Sequence, residues 1–96
     1  MRTYQTLYKN EIRAVEITIN DQDGQPFLSD NAYTTIKDSN NTVVVAEQAA
    51  YTTENKVYTI VGTVTTGTIG KYKIIWKLIK DDYIYYLTTE LQIQDV

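Results

Sequence analysis

Lys71-Tyr72-Lys73-Ile74-Ile75-Trp76-Lys77-Leu78-Ile79-Lys80-Asp81-Asp82-Tyr83-Ile84-Tyr85-Tyr86-Leu87-Thr88-Thr89-Glu90-Leu91-Gln92-Ile93 reads as two extended runs meeting at a pair of aspartates. If Asp81 and Asp82 are the turn, one face pairs Tyr72 with Leu91, Ile74 with Thr89, Trp76 with Leu87, and Leu78 with Tyr85. The other pairs Lys73 with Glu90, Ile75 with Thr88, Lys77 with Tyr86, and Ile79 with Ile84. This single register separates an apolar, aromatic face from a mixed face that includes an opposite-charge pair. A slip of one residue destroys the separation, so the sequence predicts a long antiparallel hairpin with Trp76 on its core side.

Working outward, the apolar pattern keeps a period of two. Arg13, Val15, Ile17 and Ile19 share one face of a strand, while Ala14, Glu16 and Thr18 point the other way. Asn20 to Pro26 is a run of turn residues containing the only proline. Ala32 to Asp38 is extended again, and Ser39-Asn40-Asn41-Thr42 closes it with asparagines that tolerate positive φ. Val43 to Ala46 returns, rich in β-branched residues. Ala46 to Ala50 has helical propensity but is too short to stand alone as a helix. Val57 to Val61 is a further strand, followed by a threonine-rich run to Gly67 and Gly70. Roughly six to eight short strands with polar turns describe an all-β sandwich or barrel. Residues 1–11 alternate less cleanly and are expected to be an N-terminal arm or edge strand beside a single domain of residues 12–96.

The chain has 96 residues, a formal charge of −3, and neither cysteine nor histidine. Disulfides, thiolate or imidazole metal sites, cysteine nucleophiles and histidine-based triads are thereby excluded. The lysines at positions 71, 73, 77 and 80 are diluted by Asp81 and Asp82, which is not the basic stripe of a nucleic-acid binder. Met1-Arg2-Thr3-Tyr4 opens no apolar signal region, and no run has the length of a membrane span. The expectation is a product made in the cytoplasm, with no nucleic-acid or membrane partner. Asn40-Asn41-Thr42 fits a glycosylation pattern but reads as a turn.

Each constellation that might carry chemistry has a plainer reading. Asp21-Gln22-Asp23-Gly24 resembles the opening of a calcium loop, with Asp30 as an extra donor, yet lacks the later ligands. Turn chemistry accounts for residues 21–30 without a metal, and a calcium ion there is the alternative. Asp81-Asp82 is an adjacent carboxylate pair at a hairpin tip, open to water. Gly67-Thr68-Ile69-Gly70-Lys71 fails the phosphate-loop spacing. Ser29 and Ser39 lie in no nucleophile elbow. No catalytic residue, metal ligand or cofactor is assigned, and the expectation is a protein that is not an enzyme. Tyr83, Tyr85 and Tyr86 with Trp76 could form a stacking platform, although alternation places Tyr83 and Tyr85 on the core face. Ile75, Ile79 and Ile84 lie with Tyr86 on the mixed face, which a small sandwich cannot cover by itself.

Thr68-Ile69-Gly70-Lys71-Tyr72-Lys73-Ile74 resembles the segment entering strand F of immunoglobulin domains. The resemblance implies a tyrosine corner at Tyr72, whose hydroxyl bonds back to the chain, with Ile74 where the disulfide cysteine normally stands. Thr68 replaces the usual aspartate, and the tryptophan lies on this strand instead of strand C. More broadly, the chain resembles small immunoglobulin-like structural proteins of tailed-bacteriophage virions. The matching stretches are Asp21 to Phe27, Asp38 to Val43 and Gly70 to Ile74, turn-and-strand signals that bacterial surface modules share.

The resemblance implies an antiparallel immunoglobulin-like β-sandwich of about seven short strands. It also implies a virion location and protein–protein contacts, in multiple copies, with capsid, portal or tail subunits as head decoration or head–tail connector. The residues expected at those contacts are Tyr4, Leu7 and Tyr8 on the arm, and Ile75, Lys77, Ile79, Ile84 and Tyr86 on the mixed face. The alternative is a carbohydrate- or surface-binding module using exposed aromatics.

Overall fold

β7 (Gly70–Lys80) and β8 (Tyr83–Gln94) form the hairpin in the expected register, with Tyr72 opposite Leu91, Trp76 opposite Leu87 and Leu78 opposite Tyr85. Asp81 and Asp82 take φ values of 51° and 69°, the left-handed pair that a two-residue type I′ turn requires. The computed structural model describes residues 2–53, 55–61 and 68–95, with side chains from Thr6 onward. The threonine-rich run at 62–67 lies outside the described residues.

The other described strands are β1 (Arg2–Tyr8), β2 (Arg13–Thr18), β3 (Asn31–Asp38), β4 (Val43–Ala49), β5 (Tyr51–Thr53) and β6 (Lys56–Val61). A five-stranded sheet runs in the order β1-β8-β7-β3-β4, and a three-stranded sheet in the order β2-β6-β5. Among the described residues all strand pairings are antiparallel except that of β1, which lies parallel to β8 at the edge, Arg2 opposite Thr88 and Tyr8 opposite Gln94. Residues 46–49, with their helical propensity, are extended in β4. The valines before them and pairing with β3 outweigh a propensity worth only tenths of a kcal/mol per residue.

The core lies between the sheets. Val15, Ile17 and Ile19 meet Val57 and Val61 from the small sheet, and Ile36, Ile74, Trp76, Leu78, Leu91 and Ile93 from the large one. Trp76 is fully buried, and its indole N–H donates to Thr89 Oγ1 at 2.8 Å. Thr34 on β3 and Thr59 on β6 hydrogen-bond across the gap between the sheets at 3.3 Å. No buried side-chain nitrogen or oxygen among the described residues lacks a partner. The Tyr72 hydroxyl donates to the Thr68 carbonyl four residues earlier, the bond that the strand-F resemblance implies.

Two turns at opposite ends of the sandwich share one wiring. Asp21 Oδ1 accepts from the amides of Asp23 and Gln25, both at 2.9 Å, and Asp38 Oδ1 accepts from Asn40 and Thr42, both at 2.9 Å. In each, the fourth residue turns into the left-handed region: Gly24 at φ 79° and Asn41 at φ 64°. The aspartate side chain thus organises the loop before the next strand begins.

Two stability predictions follow from these contacts. Thr89→Val keeps the shape but strands the buried indole N–H, and urea unfolding should show a loss of about 1–3 kcal/mol. A loss indistinguishable from zero would mean that the bond contributes nothing. Asp21→Ala and Asp38→Ala should each cost about 0.5–1.5 kcal/mol. Because the turns are far apart, the double variant should lose the sum of the two.

Candidate interaction surface

The hairpin is longer than the sheet that covers it. β7 and β8 run for 11 and 12 residues, whereas β2 and β6 run for 6 each. At about 3.3 Å per residue, the large sheet outreaches its partner, and the overhang is the Asp81-Asp82 end. Leu78 is the last buried residue of β7; on the strand opposite, Tyr83 and Tyr85 of the inner face and Ile84 and Tyr86 of the outer face are all exposed, Tyr83 at 69% and Tyr86 at 64%.

This corrects the expectation that Tyr83 and Tyr85 belong to the core. Tyr85 does pair with Leu78 on the inner face, but among the described residues no strand lies beneath it. The loop before β3 gives partial cover instead. Phe27 meets Tyr85 edge-on at 5.2 Å, and Lys80 Nζ sits 4.8 Å from the Phe27 ring centre. Asp81 N donates to Asp30 Oδ2 at 3.1 Å, tying this loop to the tip.

Beneath Tyr85 a cleft of about 460 Å³ opens between the hairpin and the loop after β2. Ile19, Leu78 and Leu87 contribute its apolar part, and Asp21 and Asp23 its acidic part. The calcium reading finds no support in this geometry. Asp21 Oδ1 is engaged by two amides, and Asp30 reaches toward the hairpin turn. Among the described residues, no group of three or more acidic side chains is placed to hold a metal ion.

Of the residues expected at contacts, the structure gathers Ile75, Lys77, Ile79, Ile84 and Tyr86 on the outer face of the large sheet. Lys77 Nζ pairs with Glu47 at 3.3 Å and lies 5.6 Å from the Tyr33 ring centre. Lys77, Glu47, Ile75, Thr35, Lys37 and Tyr86 surround a depression of about 310 Å³. Leu7 has to be corrected: it is fully buried, because parallel pairing of β1 turns it into the core opposite Ile93. Tyr8 is exposed but stands at the end of the sandwich away from the hairpin tip. The side chain of Tyr4 lies outside the described residues.

The sequence reading missed Leu28, exposed in the loop packed beside the tip, and the parallel-stacked pair Tyr51–Tyr58, 5.1 Å between ring centres on the small sheet. Tyr83 and Tyr85 point to the inner face, as alternation expects, yet lie on the solvent side of the boundary. The signal for them is strand length: a hairpin twice as long as the strands facing it must overhang.

No family model matches the chain, and no curated protein matches its sequence. Among solved structures, a fibronectin(III)-like module of Clostridium thermocellum CbhA superposes with a TM-score of 0.54. The match covers 100% of this chain and 92% of that one, at 11% identity. The fold is an immunoglobulin-like β-sandwich. At that identity the likeness concerns the arrangement of strands, and the open end of the hairpin has to be read on its own chemistry.

If the overhang carries no folding role, Tyr83→Ser and Tyr86→Ser should each change unfolding free energy by less than about 0.5 kcal/mol. A cooperative loss of several kcal/mol on thermal unfolding would place these rings in the core after all.

Proposed function

We propose that this chain is a non-enzymatic structural protein of a tailed-phage virion, docking in many copies through the hairpin overhang and the adjoining outer sheet face. One observation carries the contact role: four consecutive large side chains stand in solvent at the end of the hairpin, Tyr83 and Tyr85 on its inner face and Ile84 and Tyr86 on its outer face. Large apolar side chains exposed together at one end of a domain are a mark of interaction sites. The base of the hairpin is packed around Trp76 and Thr89, and a surface already ordered by the fold lowers the cost of docking. Many weak contacts of this kind add up in a lattice, so no single one has to be tight. The virion setting rests on the sequence resemblance in the stretches beginning at Asp21, Asp38 and Gly70.

Carbohydrate binding by exposed aromatics is the second reading. Tyr83 and Tyr86 offer open rings, but Trp76 is buried and can take no part in a stacking platform.

Purified chain added to virion shells that lack it should bind them saturably, and the Tyr83→Ser/Tyr86→Ser variant should bind at least about tenfold more weakly. Absence of shell binding by the wild-type chain would overturn the virion role. A tyrosine fluorescence change on titration with glycans, in the absence of shell binding, would favour the second reading.

A further inference from the structure

We infer that the partner of the hairpin overhang is the outer face of the large sheet on a second copy of this chain, joined head to tail. The inference rests on the overhang being a contact surface, and it is carried by the way charge is distributed around two apolar patches.

The tip end of the sandwich is acidic. Asp81 and Asp82 form the turn, and Asp21, Asp23 and Asp30 lie in the loop beside it, all exposed. Lys80, held over the Phe27 ring, and Lys56 are the cations there. The outer face of the large sheet has the opposite balance. Alternation on β7 sends Lys71, Lys73 and Lys77 outward, and Lys37 joins them from β3. The carboxylates among them are Glu47, paired with Lys77, Glu90, opposite Lys73, and Asp38, which lines one depression with Lys71, Lys73 and Glu90.

Lys37 and Lys73 are direct cross-strand partners, an arrangement that like charges make unfavourable. Glu90 stands on the far side of Lys73 from Lys37. A carboxylate arriving from outside, above Lys37 and Lys73, adds to the compensation that Glu90 and Asp38 give from the side. The apolar parts match as well. Tyr83 and Leu28 project from the tip, and the lysine-bordered depression on the face holds Ile75. In the other direction, the acidic cleft beneath Tyr85 suits a lysine whose methylene stem packs on Leu78 and Leu87 while its ammonium meets Asp21 or Asp23.

Charge also decides the symmetry. Tip against tip would oppose carboxylates to carboxylates, and face against face would oppose lysines to lysines. Of the pairings between these two surfaces, tip against face is the one that remains, and being heterologous it propagates into a ring or a filament instead of stopping at a dimer.

Charge reversal on the full chain tests this. The wild type should self-associate in sedimentation at low salt, and association should weaken as salt is raised. Lys73→Glu and Asp82→Lys, each monitored for native circular dichroism, should each weaken association by about tenfold or more. An equimolar mixture of the two variants should restore it, because each tip then meets a face of opposite sign. The double variant should restore it for the same reason. A wild type that stays monomeric at low salt, single variants that associate as well as wild type, or a mixture that fails to recover would each overturn the inference. Shell binding measured on the same proteins separates the two proposals. Intact binding by a chain that never self-associates removes this inference alone, whereas loss of both removes the virion reading too.

Discussion

The two-residue turn at Asp81-Asp82 fixes the register of β7 against β8, and the rest of the sandwich is built on that register. With both turn residues left-handed, Trp76 falls opposite Leu87, and Ile74 falls opposite Thr89. That brings the Thr89 hydroxyl within reach of the indole N–H. β3 then pairs with β7 and β1 with β8, so an error in the hairpin would spread to both neighbours. Trp76 does work that a disulfide does in many domains of this shape. It fills the space between the sheets and has its one polar atom satisfied inside.

The base of the hairpin and its tip obey different constraints. At the base, alternation and burial agree: Ile74, Trp76 and Leu78 point inward and are covered. At the tip, alternation continues but burial stops, since β2 and β6 end first. Alternation tells which way a side chain points. It is silent on whether anything is there to receive it.

This difference marks how far the residues themselves were legible. The hairpin register and the turns at Asp21 and Asp38 follow from local patterns, because each depends on neighbours along the chain or directly across one turn, whereas the tyrosine corner at Tyr72 follows from the resemblance to strand F. Leu7 and Tyr85 were misplaced for a common reason. Their surroundings depend on strands distant in sequence, β8 for the first and the short facing sheet for the second. The outer-face residues Ile75, Lys77, Ile79, Ile84 and Tyr86 were readable as one group because a single hairpin register places them. The acidic cleft was not, since it needs the loop after β2 brought beside the hairpin.

The parallel pairing of β1 with β8 has a bearing on how the molecule is made. Arg2 pairs with Thr88 and Leu7 with Ile93, nearly the largest sequence separation this chain allows. Contacts so distant are slow to form, because the intervening loop has to close first. On the ribosome, β1 emerges long before the strand that will receive it, and Leu7 must wait in solvent for Ile93. Of the strands of this sandwich, β1 is thus made well before the strand that receives it, and its seam with β8 is where assembly of the fold is completed.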